Sequence, residues 1–378
     1  MKMRILHVID SDGLYGAEIV LLCLMESQKQ MGLHPMLLSL GDTAVGPKEI
    51  DIEARERGLN VFPLRFQKGL NIKGAFKILE LARSLESQII HSHGYKANIL
   101  LGILPRKLRR LPVITTLHGW TSTRLFSKIW FYEWLDAFAL KNLEEVVAVS
   151  SEIQNNARLK IFGIHPAVIN NGIPKLNIND GDFQHEFPEL SKKLENKFKI
   201  LWIGRLSPEK GVDVLIRAVS IAVSSSIDPC LVLMGEGEEG PSLRRLAEKE
   251  DLTDKVHFTG YCDKAFRFLP YFDVFVLPSY SEGLPITLLE AMQAGTPVIA
   301  TKVGEIAKIL GQGRCGTLVG AGDSVGLAKA IEEVYRDKEE AEAKAAAAKD
   351  LVFKEYHVER MANKYLEQYQ NLISQNKK

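Results

Sequence analysis

The sequence predicts an α/β chain of two doubly wound domains, and three observations carry that reading. Short apolar runs alternate with helix-period segments along most of the 378 residues, as when crossover helices join the strands of a parallel sheet. The length exceeds what one ordinary core of about 100–200 residues supports. One stretch, 173–197, breaks the rhythm: Asn177, Asn179, Asp180, Gly181, Asp182 and Pro188 sit there among charges. The expected organisation is a first domain over 1–172, a linker over 173–197, a second domain over 198–356, and a closing helix over 357–378.

Taken in order, the first half offers strands at RILHVI, PMLLSL, NVFPL, SQIIHS, PVITTL, EVVAVS and AVIN, with helical patterns at 16–31, 73–86 and 125–141. The alternation restarts at KILWIG and continues through CLVLMG, KVHFTG, VFVLP, PVIAT and GTLV. Helices are expected at 212–224, 242–250 and 324–336, and AEAKAAAAK has very strong helix propensity. The last segment, 359–373, places Met361, Tyr365, Leu366, Tyr369 and Leu372 on one face, which needs a surface to cover.

Composition narrows the function. Hydrophobic residues make up 46% and charged residues 25%, as in a soluble globular enzyme. Lys plus Arg (48) balances Asp plus Glu (47), so nothing points to a nucleic-acid partner. Cys23, Cys230, Cys262 and Cys315 form no CxxC and no metal-ligand spacing, which suits reduced thiols in a cytoplasmic setting. No apolar run is long enough to predict a transmembrane helix, and MKMRILHVID reads as a first strand rather than a signal peptide.

The stretch 276–301, VLPSYSEGLPITLLEAMQAGTPVIAT, organises the second half. A strand stops at Pro278, a polar loop follows, and Pro285 suits the first position of a helix running to about Ala294. Gly295 suits a left-handed cap, and Pro297 blocks continuation. A rise of about 1.5 Å per residue puts the carboxylates of Glu282 and Glu290 on the order of 10 Å apart, too far for the roughly 5 Å pair of a retaining glycosidase. That separation suits two acceptors gripping different ends of one long ligand, with a helix N-terminus between them for an anion.

GRLSPEKG, Gly204 to Gly211, delivers Arg205 and Lys210 from a strand into one loop ahead of a helix, a preorganised clamp for a diphosphate. GLYGAE, Gly13 to Glu18, follows the first strand; its glycines let backbone approach a ligand, and the absence of GxGxxG weakens a dinucleotide-oxidoreductase reading. Asp10-Ser11-Asp12 is a DxD triplet, read as a turn or cap in preference to a metal–nucleotide signature. His91-Ser92-His93 supplies only two ligands by itself, so no metal site is assigned. His118 in TLHGW ends a strand before a flexible glycine and is singled out over a histidine satisfied by backbone.

SEGLPITLLEAMQAGTPVIAT closely resembles the Glu-x7-Glu segment of the retaining, nucleotide-sugar-dependent glycosyltransferase family of GT-B fold, the glycosyl transferases group 1. GRLSPEKG matches that family too, and the resemblance extends over essentially the whole chain. It implies two Rossmann-like domains whose parallel sheets face each other across a cleft, with the closing helix crossing back onto the first domain.

The resemblance also implies roles. Glu282 would meet hydroxyls of the donor sugar, Glu290 the ribose, and Arg205 and Lys210 the phosphates. His118 would lie beside the donor sugar, completing a catalytic set with Arg205, Lys210 and Glu282. Gly16, Gly235, Gly283, Leu284 and Pro285 would border the donor. Gly13, Tyr15, His93 and Asn171 would lie on the acceptor side, with Tyr15 departing from the glycine of the family's pattern. The segments Met234–Glu239 and Phe258–Tyr261 resemble loops near the nucleotide, and Ser150 the serine before a helix.

The implied reaction is transfer of a sugar, with retention, from a nucleoside-diphosphate sugar (UDP, GDP or ADP left open) to an acceptor hydroxyl. No metal and no cofactor beyond that donor are expected. Products in cell-surface polysaccharide, lipopolysaccharide or glycolipid synthesis fit, with a sugar or lipid-linked sugar as acceptor. Lys107, Arg109 and Arg110, with the aromatics Phe126, Trp130, Phe131 and Trp134, are read first as a solvated loop and a buried helix. A peripheral site at the inner face of the membrane stays open. The alternative reading is a non-catalytic nucleotide-sugar sensor or partner-binding protein on the same fold.

Overall fold

The structure is a computed structural model that describes residues 2–11, 13–44, 46–67, 71–119, 128–178, 182–225 and 227–376. The chain divides into two compact units, Met1–Pro174 with Val358–Lys378, and Lys175–His357.

The first unit holds seven strands: β1 (Arg4–Asp10), β2 (His34–Gly41), β3 (Asn60–Arg65), β4 (Ile89–His93), β5 (Val113–Leu117), β6 (Glu145–Ala148) and β7 (Ala167–Val168). They form one parallel sheet in the order β3-β2-β1-β4-β5-β6-β7. Its central strands are nearly continuous apolar runs because both faces are covered, and Leu6, Val8, Leu38, Ile90 and Val113 are fully or almost fully buried. All seven runs anticipated from sequence are strands.

The C-terminal helix, Val358–Asn376, belongs to this unit and buries Met361, Ala362, Tyr365, Tyr369 and Leu372, while Leu366 is half-buried. Its two tyrosines reach the sheet through their hydroxyls. Tyr369 lies 2.7 Å from His91 Nδ1, and Tyr365 lies 2.7 Å from Thr116 Oγ1.

The second unit repeats the plan with β8 (Phe198–Ile203), β9 (Pro229–Met234), β10 (Val256–Gly260), β11 (Val274–Leu277), β12 (Val298–Thr301) and β13 (Thr317–Val319). The order is β10-β9-β8-β11-β12-β13, again all parallel. Its core gathers Trp202, Leu215, Val219, Leu231, Leu233 and Ile331, all buried.

Three expectations need correction. Within the stretch read as linker, residues Asp182–Glu186 and Pro188–Lys193 are short helices of the second unit. Phe183 is fully buried there and stacks on Tyr271 at 4.4 Å, so one aromatic anchors a segment whose overall polarity suggested a loop. Arg109 belongs to no surface patch: it is fully buried and paired at 2.8 Å with Glu144, whose side chain is 3% exposed. The helix expected over 125–141 is described over Lys128–Leu140 and is not simply buried, because Phe131 and Phe138 are 57% and 63% exposed. Residues 120–127, Phe126 among them, lie outside the described part, as do Asp12 and 179–181. The four cysteines are all free thiols.

Candidate functional site

In the second sheet β8 and β11 are neighbours, yet the chain leaves β8 toward β9 and leaves β11 toward β12. The loops at their carboxyl ends therefore diverge, and a crevice at such a switch point is where doubly wound sheets bind ligands. Gly204–Gly211 follows β8, and Pro278–Pro285 follows β11.

Backbone contact holds these loops in register. Gly211 has φ +62°, and a Cβ there would lie 2.2 Å from the carbonyl oxygen of Pro278. Tyr280 N–H donates to the carbonyl of Glu209 at 2.8 Å. Gly235, just after β9 with φ +148°, would put a Cβ 1.7 Å from the carbonyl oxygen of Gly204. Glycine is required at both places by space as well as by conformation.

This scaffold brings two sequence-predicted residues into direct contact. Lys210 Nζ lies 2.7 Å from Glu282 Oε1, and Ser279 Oγ donates to the same oxygen at 2.7 Å. No described residue hydrogen-bonds Oε2 of Glu282. Ser279 is buried and its carbonyl accepts from Thr301 Oγ1 at 2.6 Å, which fixes the loop behind the carboxylate. Arg205, half exposed, has a guanidinium nitrogen 3.2 Å from Glu209 Oε1. Lys210 ends a short 3-10 turn, Pro208–Lys210, and the helix begins after Gly211, at Val212.

Glu290 is half-buried on the helix Ile286–Ala294. No described hydrogen bond or ion pair reaches its carboxyl group, and burial pushes its pKa up to about 7. A desolvated carboxyl without a protein partner is a mark of a ligand site. Pro285 is the N-cap of this helix rather than its first residue; Leu284 and Pro285 are buried, and Gly283 is half-buried. Gly295 caps the helix with φ +75°, as its sequence position suggested.

The first unit builds a different centre. His7 on β1 sits in register with His91 on β4, and His93 lies two residues on, on the same face. His7 Nδ1 is 3.1 Å from His93 Nε2, and His93 Nδ1 is 3.1 Å from His118 Nε2, just past β5. His7 Nε2 is 2.8 Å from Gln28 Oε1, and His91 Nε2 is 2.7 Å from Thr116 Oγ1. Burial lowers all four imidazoles, His7 and His118 to about 4 and His91 and His93 well below 6.5, so the cluster is uncharged at neutral pH.

His118 is thus held by another histidine, not by backbone. The structure supplies the third ligand that His91-Ser92-His93 lacked, since His7, His91 and His93 each offer a nitrogen within 4.8 Å of the others. Every nitrogen of those three rings also has a protein partner, so the rings are joined in one hydrogen-bond network. His7 and Gln28 escaped the sequence reading, and Tyr365 and Tyr369 entered it only as part of an apolar helix face. The available signal was a polar His7 inside RILHVI and two tyrosines on an otherwise apolar helix face.

The other residues of this end are placed as follows. Gly16 opens the helix Gly16–Gln30, and Tyr15, its N-cap, is half exposed with φ −109° and ψ −171°. That extended conformation is open to any residue, which explains how tyrosine stands where the family pattern has glycine. Glu18 accepts from Tyr15 N–H at 3.1 Å, and a Cβ on Gly13 would meet the Tyr15 ring at 2.7 Å. Asp10 is held between Lys48 (2.7 Å) and Lys96 (2.5 Å), a structural role for the first member of the DxD triplet. Asn171 is buried, and Ser150 caps a turn by accepting from Ile153 N–H at 3.2 Å.

Two parallel doubly wound units, each carrying its polar residues at strand ends, define a two-domain α/β architecture of GT-B type. Residues 183–351 belong to the glycosyl transferases group 1 family and residues 15–175 to glycosyltransferase family 4; the chain is a glycosyltransferase. It is similar to N-acetyl-alpha-D-glucosaminyl L-malate synthase of Bacillus anthracis, 26% identical over 80% of each chain. It is also similar to a UDP-Gal:alpha-D-GlcNAc-diphosphoundecaprenol alpha-1,3-galactosyltransferase of Escherichia coli, 27% identical over 71% of each. Among solved structures, Anabaena HepE in complex with UDP superposes with a TM-score of 0.84 at 22% identity, over 98% of this chain and all of that one.

Proposed function

We propose that this glycosyltransferase moves a sugar from a nucleoside-diphosphate sugar to an acceptor hydroxyl with retention of anomeric configuration and without a metal ion. The observation that carries this reading is the Lys210–Glu282 pair at the β8/β11 switch point, with Arg205 in the adjoining loop and the unpartnered Glu290 on the following helix. Lys210 and Arg205 meet the diphosphate, whose negative charge grows as the glycosidic bond breaks; their attraction is therefore greater in the transition state than in the ground state. Glu282, its Oε1 occupied by Lys210 and Ser279, turns Oε2 to the sugar hydroxyls. Glu290 accepts from the ribose.

UDP-sugars are the first donors to test, because the Anabaena structure was solved with UDP and the Escherichia coli relative is a UDP-galactose enzyme by name. A lipid-linked acceptor fits the diphosphoundecaprenol substrate in that relative's name. It also fits the exposed Phe131 and Phe138 of one helix and, in the segment 103–110 of the same unit, exposed Ile103 and Leu108 among exposed Arg106, Lys107 and Arg110, features suited to peripheral membrane contact. No helix among the described residues is long and apolar enough to cross a membrane.

The test is Lys210→Ala. Turnover should fall on the order of 100-fold or more, as when a preorganised electrostatic partner is removed. Affinity for the bare nucleoside diphosphate should fall with it. Near-wild-type turnover in the variant, or an inverted product by NMR, would overturn the assignment. Tight donor binding with no transfer to any acceptor would identify a sensor instead.

A further inference from the structure

The histidine network has a direction, and it can be read from one end. Gln28 Nε2 donates to Tyr369 Oη at 3.1 Å, so Gln28 Oε1 accepts from His7 Nε2. His7 therefore carries its proton on Nε2. Being neutral, it offers a bare Nδ1, and His93 Nε2 must be the donor across that 3.1 Å contact. The same step leaves His93 Nδ1 bare and puts the proton of His118 on Nε2. His118 Nδ1 remains as a buried lone pair with no donor among the described residues. On the other branch Tyr369, having accepted from Gln28, donates to His91 Nδ1, and His91 Nε2–H donates to Thr116, which shares a bond with Tyr365.

We propose that Gln28, held by Tyr369 of the C-terminal helix, is a positioning residue that fixes His118 as the Nε2–H tautomer, so that Nδ1 acts as a hydrogen-bond acceptor for a ligand hydroxyl. The identity of that ligand, the donor sugar, rests on the reading above; the tautomer does not. The opposite direction would require the Gln28 amide to be reversed. Every proton in the chain would then move, and His118 would keep a buried Nδ1–H with no acceptor, the costlier of the two unmet groups. The position of His118 supports the role, since it stands at the carboxyl end of β5, the end at which doubly wound sheets bind ligands.

The test is nitrogen-15 NMR of the imidazoles in the full-length, ligand-free protein, which distinguishes protonated from bare ring nitrogens. Wild type should show His118 protonated at Nε2 and bare at Nδ1. Gln28→Met removes the acceptor at similar volume, and the His118 nitrogens should then shift toward a mixture of tautomers. Tyr369→Phe should produce a smaller shift in the same sense. In Gln28→Met, kcat should fall on the order of 10-fold, the effect of losing one hydrogen bond, while affinity for the bare nucleotide is unchanged. A wild-type His118 protonated at Nδ1 overturns the proposal, and so does a Gln28→Met spectrum identical to wild type at His118. The spectrum of the unmutated protein decides the matter even if a variant fails to fold. A protein that shows the expected tautomer yet transfers no sugar would sink the functional reading and uphold this one.

Discussion

The two units share a sheet plan and differ in what they place at their strand ends. The second gathers charge: Lys210 against Glu282, Arg205 against Glu209, and a lone Glu290. The first gathers neutral rings, with His7, His91, His93 and His118 joined to Gln28, Thr116 and two tyrosines. Charges attract an anion over distance and stabilise charge that develops. A neutral network, bonded at every ring nitrogen but His118 Nδ1, fixes where protons sit. One fold thus carries an electrostatic centre in one unit and a proton-ordering centre in the other.

Acid should separate the two centres most strongly. His7 has a folded pKa of about 4 against 6.5 unfolded, so the unfolded chain binds more protons between those values. The stability it contributes is full above pH 6.5 and lost as pH falls toward 4, about 3 kcal/mol from His7 alone. Glu290 has the opposite sign: its folded pKa is raised to about 7, so its contribution is full below pH 4.5 and lost as pH rises through 7. Pulsed hydrogen exchange in denaturant at pH 7 and pH 5 should show β1, β4 and β5 losing protection before β8 and β11 at the lower pH. Equal loss in both units would break the comparison.

A second test targets how each loop is held. Gly211→Ala forces a side chain into the left-handed region and against the Pro278 carbonyl, and should cost roughly 2 kcal/mol or more while weakening donor binding. Tyr15→Ala in the first unit changes an extended, half-exposed residue and should stay within about 0.5 kcal/mol. Thermal denaturation of the two variants compares them directly.

Glu290 offers a subtler reading. A hydroxyl donated to its carboxylate favours the charged form, so nucleotide binding near pH 7 should release a fraction of a proton. Calorimetry in buffers of different ionisation enthalpy measures it, and Glu290→Gln should abolish the release. The smallest effect concerns the exposed aromatics of the first unit. Binding to anionic vesicles at low salt should fall when Phe131 and Phe138 are both changed to Ser, and sedimentation with liposomes would detect no difference if that face is only solvated.

What the sequence made legible follows from this contrast. Short continuous apolar runs between helix-period segments identified all thirteen strands, because buried parallel strands are apolar on both faces and stand out. The charged centre was readable because Arg205, Lys210, Glu282 and Glu290 lie in two contiguous motifs. The histidine centre was not, because its members come from β1, β4, the end of β5, Gln28 and the C-terminal helix, and only the sheet order brings them together. Phe183 and Arg109 failed for the same reason: Tyr271 and Glu144 decide their burial from a distance in sequence.

The division of the chain has a consequence for its synthesis. Residues 175–357 form one contiguous unit, whereas the first unit is completed only by its last stretch, 358–378. Tyr365 and Tyr369 bring the hydroxyls that close the histidine network, and Val358 N–H bonds the Ile173 carbonyl at 3.0 Å. During translation the unit begun first is therefore the one finished last. The inserted unit has its whole sequence available earlier and can fold while its host still exposes the polar row of β1, β4 and β5. A chain released before Val358 would carry a complete electrostatic centre in one unit and an open sheet face in the other, the species for which a chaperone has the most use.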